Sequence, residues 1–105
     1  GGFVFDCRAL PNPGREEKYR QFTGKDSEVI EFLEEKSPVS DFLNRTFSLV
    51  ADSISEYRSR NFKQLMVSYG CTGGQHRSVY CAERLQNYLR KELNVKTILT
   101  HKELG

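Results

Sequence analysis

The sequence predicts an α/β fold, a small and mostly parallel open sheet whose strands are joined by helical crossovers. Short apolar runs alternate along the chain with longer segments of helical periodicity. Because neighbouring parallel strands need long connections, this alternation favours parallel pairing. With 105 residues, 37% of them hydrophobic, the chain has enough apolar material for one core and too little for two. We therefore expect a single domain spanning residues 1–105.

The first half of the chain has the pattern of one strand, a long loop and two helices. The run "FVFD" (3–6) is apolar, and the prolines and glycine of "CRALPNPG" end it. A loop then continues to residue 25. Asp26 is placed to cap a first helix over 26–36, and Ser37 followed by Pro38 begins a second helix that ends near residue 61.

The second half has the pattern of a strand, a helix and a strand. "FKQLMVSYG" (62–70) and "VKTILTH" (95–101) are strand-like, and the segment 76–93 between them carries an apolar stripe typical of a helix. In open parallel sheets, ligands bind beyond the carboxyl ends of the strands. "FDCR" and "YGCTGGQHRS" both follow strands, so we expect them to converge on one site.

Cysteine, histidine and hydropathy patterns limit the compartment and the cofactors. Three cysteines without a C-x-x-C pair are typical of a reducing compartment, and only two histidines argue against a dedicated metal site. No apolar run is long enough to cross a bilayer, and the start of the chain lacks a leader pattern. We expect a cytoplasmic protein that binds neither a metal nor a cofactor and does not enter a membrane.

The charges are unevenly distributed along the chain. Residues 26–56 include eight acidic and two basic side chains, although the whole chain has a net charge of +2. The remainder is therefore strongly basic. This asymmetry indicates an anionic partner, phosphate or RNA, and is equally typical of a solvated surface.

The loop "GCTGGQHRS" carries the chemistry of an anion site at a strand-to-helix junction. Gly73 and Gly74 can adopt positive φ, which turns successive backbone N–H groups inward beside the positive end of the following helix. Arg77 can contact two phosphate oxygens at once. Hydroxyl donors at Thr72 and Ser78 add to this phosphate-binding loop.

Three interpretations of this loop stay open. The interval of five residues between Cys71 and Arg77 is the one that cysteine phosphatases use, and the local field favours a thiolate at Cys71. A phosphatase also needs a general acid, for which Asp6 and Asp26 are the candidates. No histidine precedes Cys71 to orient a thiolate, so binding is favoured over turnover. The third interpretation is a plain strand-to-helix turn.

A separate set of residues has the composition of an RNA-binding surface. Arg58, Arg60 and Lys63 are interleaved with aromatic residues, and Arg90 and Lys91 lie at the end of the third predicted helix. Basic and aromatic side chains together can contact phosphates and stack on bases. Solvated charges at a helix end have the same pattern.

Three stretches of the sequence carry a family resemblance. "FDCRALPNP", "TGKD" and "GCTGGQHRSV" resemble the C-terminal domain of the RapZ/YvcJ family of RNase adapter and nucleotide-binding proteins, over nearly the whole chain. The resemblance implies small-RNA binding and the sensing of a hexosamine phosphate. It maps these residues onto the family's phosphate pocket and its second motif: Cys71, Thr72, Gly73, His76 and Arg77, then Asp6, Arg8 and Asn12.

In that family a P-loop nucleotide-binding domain precedes this one. No P-loop sequence occurs here, so nucleotide hydrolysis is not carried over. We expect the chain to be cut from a longer protein that contains a fused N-terminal domain. The preferred hypothesis is a module that binds a phosphorylated small molecule in a sensory or adapter role. A cysteine-dependent phosphatase and an RNA-binding adapter are the alternatives.

Overall fold

The structure, a computed structural model, describes residues 2–59, 65–93 and 100–103, without the side chains of residues 58 and 100–102. Three parallel strands form one sheet in the order β1 (Gly2–Asp6), β2 (Met66–Cys71), β3 (Thr100–Glu103). Two helices, α1 (Ser27–Glu34) and α2 (Ser37–Ser59), lie between β1 and β2 in the chain, and α3 (Arg77–Glu92) follows β2. The predicted α/β class with a parallel sheet and helical crossovers is confirmed.

The element boundaries differ from the prediction mainly at the strands. β2 continues one residue beyond the predicted run, to Cys71, while residues 62–64 of that run lie outside the described part of the chain. The third strand was predicted over 95–101, and the described strand is Thr100–Glu103. Residues 95–99 also lie outside the described part.

Asp26 is the N-cap residue of α1 by backbone geometry, but its side chain does not cap the helix. Its Oδ2 instead accepts a hydrogen bond of 2.7 Å from the backbone N–H of Thr23. A tight turn over 23–26 results, because the N–H of Asp26 also donates to the Thr23 carbonyl. The carboxylate therefore fixes the end of the preceding loop rather than the first turn of the helix.

Aromatic side chains join the sheet to the helices. The ring of Phe42 on α2 lies edge-on to Phe5 of β1 and Tyr69 of β2, with centroids 6.5 and 6.1 Å apart. Phe47 of α2 stacks on Tyr88 of α3 at 4.9 Å, so the two helices also pack against each other. This packing fixes α3, and with it the loop that leads into α3.

Within the described ranges, no helix combines the length and the apolar character that crossing a membrane requires.

Candidate functional site

The carboxyl ends of the three strands lie side by side. Asp6 is paired with Gly70, and Cys71 is paired with Glu103, so the segments that leave β1 and β2 start from neighbouring positions. The N–H of Cys7 also donates to the Gly70 carbonyl at 2.7 Å. The "FDCR" and "GCTGGQHRS" segments therefore converge, as their positions after strands predicted.

The 71–78 loop turns sharply at two glycines. Residues Thr72–Gly74 form a short 3-10 turn, with φ at +80° for Gly73 and +61° for Gly74. Residues with a Cβ rarely adopt such angles, so glycine suits both positions. Thr72 and Gly73 are exposed at the tip, and His76 occupies the N-cap position of α3.

Donors of this loop point at the sulfur of Cys71. The backbone N–H of Ser78 donates to Sγ at 3.3 Å, and the Ser78 hydroxyl oxygen lies 3.2 Å from the same atom. Burial raises the pKa of the Cys71 thiol, but both Ser78 contacts, the Arg77 charge and the Gly74 amide outweigh it and bring the pKa below the ordinary cysteine value. The contacts of the loop thus favour the thiolate form of Cys71.

Arg77 is almost completely buried and binds the segment that follows β1. Its Nη1 donates to the backbone carbonyls of Arg8 at 2.8 Å and Leu10 at 3.0 Å, with a longer contact of 3.4 Å to Cys7. Its Nε is buried and has no hydrogen-bond partner among the described residues. The acceptors of Nη1 are thus backbone carbonyls, and the buried Nε is left with a donor that no described residue accepts.

The two residues before Arg77 hold the same long segment farther along. The Gln75 side-chain amide donates to the carbonyls of Arg20 and Phe22, both at 2.7 Å. His76 is also buried, and its Nε2 lies 2.9 Å from the carbonyl oxygen of Tyr19. These contacts, with those of Arg77, make a clamp that fastens residues 7–25 to the start of α3.

Sequence reasoning missed this clamp. Gln75 was not among the expected site residues, and its acceptors are backbone carbonyls, which leave no trace in the sequence. The glycine of the motif "TGKD" is a sequence feature that could have indicated this contact, because a Cβ at Gly24 would collide with the backbone of His76 and Tyr80. The N–H of Gly24 donates to the Gln75 carbonyl at 3.0 Å, so glycine permits a close backbone approach there.

The expected site residues Asp6, Arg8 and Asn12 lie at the end of β1 and in the segment that follows it. Asp6 and Arg8 form a two-pronged ion pair, with Nη2 2.7 Å from Oδ2, and both side chains are half-exposed. Hydrogen bonds from Arg8 lower the pKa of Asp6 to about 2. Asn12 caps the short turn Pro13–Arg15 through Gly14 N–H, and this turn lies beside the imidazole of His76.

The other two cysteines are core residues. Cys7 and Cys81 are fully buried. A contact with Cys7, together with burial, raises the pKa of Cys81 above its ordinary value. In contrast to those of Cys81, the surroundings of Cys71 favour the thiolate.

Most of the side chains expected to bind RNA lie outside the described part of the chain. Arg60 and Lys63 are not among the described residues, and the side chain of Arg58 is not described either. Arg90 and Lys91 are exposed in the last turn of α3. No metal-binding group of histidine, cysteine, aspartate or glutamate side chains occurs within 2–59, 65–93 and 100–103.

Comparison with known proteins gives consistent matches along the whole chain. The model of the family described as the RapZ C-terminal domain matches residues 1–105. A nucleotide-binding protein of Fervidobacterium nodosum is 46% identical over 104 residues, and one of Methylococcus capsulatus is 44% identical over 102 residues. These alignments cover 98% and 97% of the chain but 37% and 34% of the two relatives. The chain thus spans about a third of the length of the curated relatives it matches.

Proposed function

Because the chain belongs to the family of RapZ C-terminal domains, we propose that it is a binding module for a phosphorylated small molecule, of the hexosamine phosphate type. The ligand's phosphate binds at the 71–78 loop, and the module has a sensory or adapter role beside a fused N-terminal domain. The fused domain is supported by the relatives, which are about three times as long as the chain. The name "nucleotide-binding protein" belongs to those whole relatives.

The observation that carries this proposal is the buried Nε of Arg77. The partners of Nη1 are carbonyls, and Nε has none among the described residues. Leaving a buried donor without an acceptor is unfavourable, and a phosphate oxygen at Nε would remove that cost. The positive end of α3 and the two glycines with positive φ lie at the same place.

A titration with inorganic phosphate and with a hexosamine phosphate tests the proposal. The amide resonances of Thr72 to Ser78 should shift more than those of any other segment, as followed by heteronuclear NMR. If the sugar is part of the ligand, the hexosamine phosphate should bind at least about tenfold more tightly, a difference of about 1.4 kcal/mol. Shifts scattered over surface lysines and arginines would contradict the proposal.

A matched pair of variants isolates the guanidinium. Arg77→Lys keeps the charge but loses the planar donors, and should weaken phosphate binding about ten- to a hundredfold, since hydrogen bonds to charged groups contribute about 1.5–3 kcal/mol. Arg84→Lys, on the exposed side of the same helix, should leave binding unchanged. If the two variants bind phosphate with equal affinity, the Arg77 guanidinium does not contact the ligand. If Arg77→Lys does not fold, the phosphate-induced amide shifts of the unmodified chain still show where the phosphate binds.

The phosphatase alternative is favoured by the contacts that stabilise the Cys71 thiolate. Against it, Cys71 is 1% exposed, so its sulfur is closed to an incoming phosphate ester. Asp6, with a pKa of about 2, is ionised near neutral pH and cannot donate a proton. Hydrolysis of an aryl phosphate that disappeared in Cys71→Ser would establish the phosphatase. We expect no turnover.

The RNA-binding alternative has a different signature. An RNA bound through phosphate contacts loses affinity steeply as the salt concentration rises. Among its described candidates are Arg90 and Lys91, on the exposed end of α3. Substituting both should weaken RNA binding and leave the phosphate shifts of the 71–78 loop unchanged, so the two activities are separable.

A further inference from the structure

A groove with an aromatic floor lies between the 7–25 segment and α1. It encloses about 410 Å³, and the rings of Tyr19, Phe22 and Phe32 line it. Tyr19 and Phe32 contact each other with their centroids 5.2 Å apart, and all three rings are partly buried against the core. A volume of this size accommodates a long side chain with its neighbouring backbone.

The groove is strongly acidic. Glu28 and Glu31 line it from α1, and Glu35 lines it from the C-cap position of this helix; their spacing of three and four residues places them on one face. All three are exposed, and Lys18 is the basic residue among the described residues of the lining. Such a surface repels phosphate groups, so neither the proposed metabolite nor RNA fits it.

Two rings of the groove already hold ammonium groups of the chain itself. The ammonium group of Lys18 lies 5.0 Å from the Tyr19 ring centroid, and that of Lys36 lies 4.8 Å from the Phe32 centroid. Both distances are within the range of cation–π attraction. Aromatic faces and carboxylates together therefore favour an occupant with a positively charged side chain.

The walls of the groove are held in place from behind. The carbonyl of Tyr19 lies against His76, and that of Phe22 accepts from Gln75. Because these bonds fix the backbone that carries two of the three rings, the groove is largely preorganised, and binding costs less conformational entropy.

We propose that this groove docks a basic segment of a partner protein, with an arginine side chain lying between the rings and the three glutamates. Charge complementarity selects the occupant: among the described residues, the groove has three carboxylates against the two ammonium groups of Lys18 and Lys36. Arginine fits better than lysine, because its planar guanidinium stacks on a ring and binds a carboxylate with two donors at the same time. This surface is distinct from the 71–78 loop, and its test requires no phosphorylated ligand.

The experiment measures the binding of a fluorescein-labelled peptide, three arginines separated by glycines, to the 105-residue chain by anisotropy at moderate salt. Glu31→Gln should weaken binding about two- to fivefold, since exposed ion pairs contribute about 0.2–1 kcal/mol. Phe32→Leu keeps an apolar side chain without a ring, and should weaken it by a similar factor because the cation–π contact contributes about 0.5–1 kcal/mol. Glu34→Gln is the control, because it makes the same charge change on the same helix outside the groove.

Three other results would each overturn the proposal. Equal losses in Glu31→Gln and Glu34→Gln would indicate unspecific attraction to an acidic helix. Peptide-induced amide shifts outside residues 18–35 would place the peptide elsewhere. A chain that sediments as a dimer through this face, and becomes monomeric in Glu31→Gln, would identify a second copy as the occupant. Peptide shifts confined to the groove support the proposal even if Phe32→Leu fails to fold.

Discussion

Substituting alanine for Gly24 tests the clamp between the 7–25 segment and α3. An alanine Cβ would collide with the carbonyl oxygen of His76 and the backbone nitrogen of Tyr80, and would lie 3.0 Å from the Tyr80 Cα. These atoms cannot yield, because the N–H of Tyr80 donates to the His76 carbonyl in the first turn of α3. The segment must therefore move away and lose the bond from Gly24 N–H to Gln75.

The expected loss of stability follows from those two effects. Overpacking costs about 1–3 kcal/mol, and a lost backbone hydrogen bond costs about 1 kcal/mol, so the free energy of unfolding should fall by about 2–4 kcal/mol. For a domain of this size such a loss lowers Tm by about 10–20 °C. Urea denaturation followed by far-UV circular dichroism measures it directly.

Two other glycines serve as controls. A Cβ at Gly14 would be 3.1 Å from Asn12 Oδ1 and 3.4 Å from the His76 ring, a tight contact with side-chain atoms, so Gly14→Ala should change stability by less than about 1 kcal/mol. Gly73 has open space around it but φ of +80°, so Gly73→Ala should cost about 1–2 kcal/mol through backbone strain alone. If Gly24→Ala is as stable as Gly14→Ala, the 7–25 segment does not lie against α3 as described.

Two further predictions concern ionisation. Ser78→Ala removes the hydroxyl beside the Cys71 sulfur and should move the pH profile of Cys71 alkylation by iodoacetamide to higher pH, read by peptide mass spectrometry; an unchanged profile would show that the hydroxyl does not stabilise the thiolate. Asp6→Asn removes a carboxylate whose pKa falls from 3.8 to about 2 on folding, so its stabilisation is present above pH 4 and lost as the pH falls toward 2. The stability difference between Asp6→Asn and the unmodified chain should therefore disappear over that interval, and a constant difference would mean that the ion pair is not its source.

The sequence predicted the elements well because each has a simple periodic cause. The apolar stripe of α3 and its glycine-rich start were both visible, and together they located Cys71 and Ser78 on either side of a strand-to-helix turn. The convergence of Asp6 with this turn followed from parallel topology alone. The site elements that lie at the carboxyl ends of parallel strands were thus predictable from the sequence.

The direction of the buried side chains was not predictable. Arg77 and His76 were expected to face a phosphate, and both make contacts with backbone carbonyls of the 7–25 segment. Every residue has a carbonyl, so no residue type signals that acceptor. Asp26 shows the same limit, because its carboxylate can cap its own helix or bond the preceding turn, and only the path of the loop decides between them.

The clamp gives the two proposed sites a common physical element. Gln75 and His76 stand in the 71–78 loop, and the carbonyls that they contact belong to residues forming, or next to, the wall of the aromatic groove. A phosphate drawn to Arg77 Nε competes for a side chain whose Nη1 holds the start of the same segment. Energetic coupling between distant sites needs an element that both contact, and here that element is one loop fixed by three consecutive residues. A sensory role carried by the clamp would need a change in these hydrogen bonds and no domain motion within this chain.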